Sequence, residues 1–138
     1  MLMLANPFAT ANVLICEDVV RDGAFLNAVH VFSVITIERW KQPKFRFKAI
    51  THLTSQPGDI IPHNFAVQLE RYDGYVAAYT IPIQFVFGYA LDPSGPGGYF
   101  MTTNFEIDAQ LYVPGNYAVV VYVDRQAVAS TALMLRIS

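Results

Sequence analysis

The sequence predicts an all-β protein, an antiparallel β-sandwich of about eight strands, and three observations lead there. Several segments alternate apolar and polar residues, which lays one strand face on a core and leaves the other in water. Clusters of Gly, Pro, Asn and Asp punctuate the chain at roughly the 8–12-residue spacing of sandwich strands. No stretch shows the 3.6-residue apolar period of a helix. The 138 residues read as a single domain, 1–138, long enough to bury a real core and without repeat, low-complexity tract or linker.

Taken in order, residues 11–20 form the first predicted strand, with Val13, Leu14, Ile15 and Cys16 as its buried run. Arg21-Asp22-Gly23 turns it, the Asp-Gly pair being a strong hairpin signal. Residues 28–40 are rich in Val, Ile, Phe and Thr and almost continuously apolar, which predicts a central strand ended by Lys41-Gln42-Pro43. Residues 44–54 alternate cleanly: Phe45, Phe47, Ala49, Thr51 and Leu53 on one face, Lys44, Arg46, Lys48, Ile50 and His52 on the other. After the Ser55–Asp59 turn cluster, residues 64–72 alternate through Phe65, Val67 and Leu69, and Tyr72-Asp73-Gly74 turns again. Pro82 interrupts the following segment, because proline cannot donate to a ladder, and marks an edge, a bulge or a change of sheet. The long Gly/Pro loop at 92–98 and a short strand at 99–103 lead to the last three strands.

Those three read as an antiparallel meander over residues 105–137, turned at Pro114-Gly115-Asn116 and at Asp124-Arg125-Gln126. The predicted core here is Phe105, Ile107, Leu111, Tyr117, Val119 and Val121, with Ala109 and Val113 on the same alternating face.

Composition narrows the function classes. Residues are 54% hydrophobic and only 14% charged, against roughly 25% charged in an average soluble chain, so apolar surface is expected to be covered by other subunits. A net charge of −2 gives no global attraction to nucleic acid or an anionic membrane. Cys16 is the only cysteine, which excludes an intramolecular disulfide and a cysteine-rich zinc site and fits a reducing compartment. The apolar start lacks the basic region of a secretory signal and reads as mature protein, of cytoplasmic or virion location.

Leu14-Ile15-Cys16-Glu17-Asp18-Val19-Val20, the glycine turn after it and residues 29–37 resemble the start of an uncharacterised bacterial and phage-associated β-sandwich family. Val113-Pro114-Gly115-Asn116-Tyr117, followed by Val119, Val121, Val123 and Asp124, is similar to that family's ending. The resemblance implies an immunoglobulin-like fold and brings no catalytic residues with it.

No constellation points to catalysis or a cofactor. His30, His52 and His63 lack short-range ligand spacing, and Asp22, Asp59, Asp73, Asp92 and Asp124 each stand alone in a turn, so no metal site is predicted. Glu17 and Asp18 are adjacent on a strand and face opposite ways. The chain has no Gly-x-Ser-x-Gly elbow, phosphate-binding loop or His-Glu-x-x-His helix, and no enzyme is expected.

Two stretches remain as candidate contact surfaces. Arg39, Lys41, Lys44, Arg46 and Lys48 are five of the nine basic residues; Lys44, Arg46 and Lys48 share a strand face, and with Trp40 they would suit an anionic partner or a sugar. Residues 74–91 are eighteen positions without a charge. Their odd members (Tyr75, Ala77, Tyr79, Ile81, Ile83, Phe85, Phe87, Tyr89) are assigned to the core. Val76, Ala78, Thr80, Pro82, Gln84 and Val86 then face outward with almost nothing to offer water, as a strand covered by another chain would. Proline, threonine and glutamine in its middle argue against a membrane span. The expected function is a non-enzymatic interaction or assembly module, a homo-oligomer or part of a larger particle such as a phage or virion. A sandwich that binds carbohydrate or another small molecule through Trp40 and loop residues is the alternative.

Overall fold

The computed structural model describes residues 8–23, 25–38, 44–88, 94–108 and 111–138, and they form ten strands in two sheets. The first sheet contains β1 (Phe8–Asp22), β2 (Phe25–Val31), β4 (Lys44–Ser55) and β8 (Gly98–Asp108), in the spatial order β2-β1-β4-β8. The second contains β3 (Val34–Ile37), β5 (His63–Arg71), β6 (Val76–Tyr79), β7 (Ile83–Phe85), β9 (Gly115–Val123) and β10 (Gln126–Ile137). Its order is β3-β10-β9-β5-β6, with β7 also paired to β5. Every pair is antiparallel except β3 with β10, which run parallel from Val34↔Met134 to Ile37↔Ile137.

Alternation sends the expected residues inward. Phe47, Ala49, Thr51 and Leu53 of β4 are buried, as are Phe65, Val67 and Leu69 of β5 and Tyr117, Val119, Val121 and Val123 of β9. The sheets meet in one apolar cluster, in which Phe47 stacks on Phe105 with ring centroids 5.2 Å apart. Each large side chain buried there contributes about 1.5–3 kcal/mol relative to exposure.

Tyr117 ties the fold together at a corner. It is the third residue of β9, and its hydroxyl donates to the Val113 carbonyl at 2.6 Å and accepts from the Val113 N–H at 3.2 Å. Gly115, at φ 135°, supplies the bend that lets the ring reach back. Such a tyrosine corner is a hallmark of immunoglobulin-like sandwiches. Together with the two packed sheets it places this fold in that class.

The structure corrects three expectations. Residues 28–40 do not form one central strand. The chain changes sheets at Phe32-Ser33: the Phe32 N–H bonds Ile15 of the first sheet, and the Ser33 carbonyl accepts from Met134 of the second. An apolar run therefore becomes two edge strands, β2 and β3, one in each sheet. The meander over 105–137 is likewise split, because β8 pairs with β4 while β9 and β10 form a hairpin in the second sheet. Leu111 is not in the core but 82% exposed: β8 ends at Asp108, whose carbonyl accepts from the N–H groups of Leu111 and Tyr112 in a turn. Ala109 lies outside the described residues.

Candidate functional site

The second sheet is five strands wide and the first only four, which leaves β6 as an overhanging edge. The inner side of that edge looks into a groove of about 240 Å³ lined by Ala77, Ala78, Ile107, Leu111 and Tyr112 rather than onto a packed strand. Pro82 separates β6 from β7, and Thr80 repairs the ladder at the break. The Thr80 N–H donates to the Val67 carbonyl at 3.0 Å, and its hydroxyl accepts from the Val67 N–H at 2.9 Å. Proline falls where no N–H is needed, so the interruption leaves no orphaned donor there.

Exposure along this edge is the main departure from the alternation. Tyr75, Ala77, Tyr79, Ile81 and Ile83, assigned to the core from their parity, are all exposed, Tyr79 at 72% and Ile81 at 80%. Only Phe85 and Phe87 of that set are buried, against Tyr99 and His63, and Tyr89 lies outside the described residues. The pairing with β5 explains it: Ala78 stands opposite buried Leu69 and packs against the core, so Tyr79, opposite Gln68, faces outward, whereas beyond Pro82 the odd positions Ile83 and Phe85 stand opposite buried Phe65 and His63. Of the positions expected outward, Val76, Pro82, Gln84 and Val86 are exposed and Ala78 and Thr80 half-buried. Tyr72 adds a further ring at the near corner, where Arg71 grips both oxygens of Asp73 (2.8 and 2.7 Å) and lies 4.7 Å from the centre of the Tyr75 ring.

The basic face forms as expected but is not bare. Arg46 meets Glu106 at 2.6 Å, Lys44 meets the other Glu106 oxygen at 3.3 Å, and Lys48 meets Asp18 at 3.0 Å. Arg46 stands directly opposite Glu106 in the β4–β8 register, so the acid belongs to the same outer face. Arg46 and then Lys44 hold the Glu106 carboxyl below its ordinary range, and Lys48 does the same for Asp18. Such exposed pairs add little stability but cancel much of the local field. Trp40, Arg39 and Lys41 lie outside the described residues.

The three histidines do different work. His30 contacts Glu17 at 3.0 Å on the surface, and His52 stacks on Phe100 at 4.2 Å. His63 is buried and clasped from both sides, Nδ1 to Asp124 at 2.7 Å and Nε2 to Asp59 at 2.9 Å. Burial alone would lower the imidazole pKa, but the hydrogen bonds it donates to Asp124 and Asp59 outweigh burial and raise the value. Burial likewise pushes Asp124 up, and His63 with the Asn64 N–H brings it net below its ordinary value. The two carboxylates sit on opposite ring nitrogens and converge on no common point, as a charge clasp and not a metal cage. Sequence reading missed it because Asp59 and Asp124 each look like ordinary turn residues, and His63 reaches Asp124 across 61 positions.

No family model matches the chain, and no curated protein matches it either. Among solved structures, it is similar to an immunoglobulin-like protein from Pseudomonas aeruginosa, at 12% identity over 95% of this chain and 100% of that one, with a TM-score of 0.42. It is also similar to the Pseudomonas fluorescens alkylpurine DNA glycosylase AlkC bound to DNA with an abasic site analogue. There the identity is 17% and the TM-score 0.48, over 75% of this chain and only 27% of the glycosylase. Neither likeness supplies a site or an activity; the fold class rests on the two sheets and the Tyr117 corner. No helix among the described residues is long and apolar enough to cross a membrane.

Proposed function

We propose that this chain is a non-enzymatic, single-domain interaction module that assembles with a second copy of itself through the β6–β7 edge. The observation that carries this reading is the exposure of Tyr75, Val76, Tyr79, Ile81, Ile83 and Val86 along an edge with no charge among them. Monomeric sandwiches protect such an edge with lysine, glutamate or an inward charge, since free backbone groups beside apolar side chains invite another strand. A copy of the same chain is the fitting occupant. Antiparallel pairing of two β6 strands about a two-fold axis sets no like charges against each other and completes both ladders. Val76, Ala78, Thr80, Pro82, Gln84 and Val86 line that contact. A two-fold contact closes on itself, so membership of a larger particle, a phage or virion among them, would need a second surface beyond this edge.

Light scattering on a size-exclusion column tests it. The wild-type chain should elute as a dimer or larger closed assembly, and Ala78→Lys with Val86→Lys should convert it to a folded monomer. A wild-type chain that stays strictly monomeric at high concentration overturns the proposal.

A further inference from the structure

The outer face of the second sheet holds a second feature, away from the packing of the two sheets. Asn64, Ala66 and Gln68 of β5 and Tyr122 of β9 line a groove of about 480 Å³, with Pro82 and Arg125 completing it. That size lies within the roughly 300–1,000 Å³ range of small-molecule sites.

Arg125 is the unusual member. It sits with Asp124 in the two-residue turn between β9 and β10, and both have positive φ, 51° for Asp124 and 69° for Arg125. Turns of this kind favour Asn-Gly, because a side chain in the left-handed region crowds its own backbone. Asp124 pays for the strain by anchoring: one oxygen accepts from the Asn64 N–H at 2.9 Å, the other binds His63, and its own N–H donates to the Asn64 carbonyl at 2.9 Å. Both oxygens of Asp124 are thus engaged elsewhere, and Arg125 makes no ion pair or hydrogen bond among the described residues. Glu70, on the same face, takes the Tyr122 hydroxyl and thereby holds the ring along the groove. It stands two residues beyond Gln68 but six, about 20 Å of extended strand, beyond Asn64, so a ligand's anionic group belongs at the Asn64–Arg125 end. An exposed, unpaired guanidinium therefore stands at the Asn64 end of a groove that runs along the Tyr122 ring to Gln68, four residues and about 13 Å further along β5.

We propose that this groove binds an acidic sugar, a pyranose ring bearing a carboxylate. Arg125 offers the two parallel N–H donors that a carboxylate accepts, which a hydroxyl-only sugar would leave unused. Asn64 and Gln68 each present a donor and an acceptor to ring hydroxyls, and Tyr122 and Pro82 supply apolar surface for a ring face.

The test titrates D-glucuronate, D-glucose, acetate and inorganic phosphate into the full chain, following the side-chain amide signals of Asn64 and Gln68 by NMR. Glucuronate should move both saturably, at least tenfold more tightly than the other three. R125Q should weaken glucuronate binding at least tenfold, R125K should restore part of it, and Q68A should weaken it while leaving the turn untouched. A silent glucuronate titration, an equal response to acetate or phosphate, or an unaffected R125Q overturns the proposal. Pro82 belongs to this groove and to the proposed dimer edge, so the Ala78→Lys, Val86→Lys monomer is titrated alongside. Binding retained by the monomer assigns the site to the groove, and binding lost with the dimer assigns it to the interface and overturns it here.

Discussion

β9 and β6 lie two places apart in one sheet, yet they obey different physics. In β9 every inward residue from Tyr117 to Val123 is at most 5% exposed, because a strand pairs on each side and the other sheet covers the face. In β6 even Ala78, opposite buried Leu69, is only half-covered, and Tyr79 beside it is 72% exposed. Hydrophobicity alone did not decide burial; the neighbours did. A hydrophobic strand that lacks them is a surface waiting for a partner, and the contrast between its neighbour β5 and β6 can be measured.

The largest effect should come from truncation in β5. Leu69→Ala removes a side chain 2% exposed and should cost about 2–5 kcal/mol in urea unfolding at low protein concentration. Tyr79→Ala, on the strand paired with β5, should fall within about 0.5 kcal/mol under the same conditions. Equal losses at the two positions would mean that β6 is packed in the free chain.

An intermediate effect is expected from the His63 clasp. Its folded pKa is raised above the ordinary 6.5, so its contribution is complete below 6.5 and is lost as pH rises through the folded value. Asp124, lowered below 3.8, contributes above that value and loses its share as pH falls through its own folded value. The advantage of wild type over His63→Gln should therefore shrink as pH rises from about 6.5 through the folded value. An advantage that grows over this interval would show that the ring is held neutral.

The smallest effect concerns the basic face. Glu106→Gln should uncover Arg46 and Lys44 and delay elution from a polyanion column by a modest increment of salt. Unchanged elution would show that Glu106 does not mask them.

Much of this was legible in the sequence, and the reasons for the rest are physical. Alternation placed Phe47, Leu53, Val67 and Val119 correctly, and the Asp-Gly and Asp-Arg turns fell where hairpins turn. It failed where a strand stopped early, as at Leu111, or where the break at Pro82 shifted the inward positions from even to odd, as at Tyr79. The common face of Lys44, Arg46 and Lys48 was readable from one strand, but Glu106 opposite Arg46 required the pairing of β4 with β8. The candidate groove around Arg125 was hidden for the same cause. It joins a residue read only as part of a turn to Asn64 and Gln68, some sixty positions earlier in the chain.

The parallel pairing of β3 with β10 also gives the molecule a mechanical grain. Val34 to Ile37 point the same way as Met134 to Ile137, and the Ser138 N–H bonds the Ile37 carbonyl at the far end. Tension drawn along β10 past Ser138, against a body held through β3, acts on all these bonds together in shear. In an antiparallel hairpin such as β9–β10, tension between the two open ends peels one pair at a time. A single short strand at the rim thus makes the last element of the sandwich slide-resistant, while its partner hairpin alone would unzip.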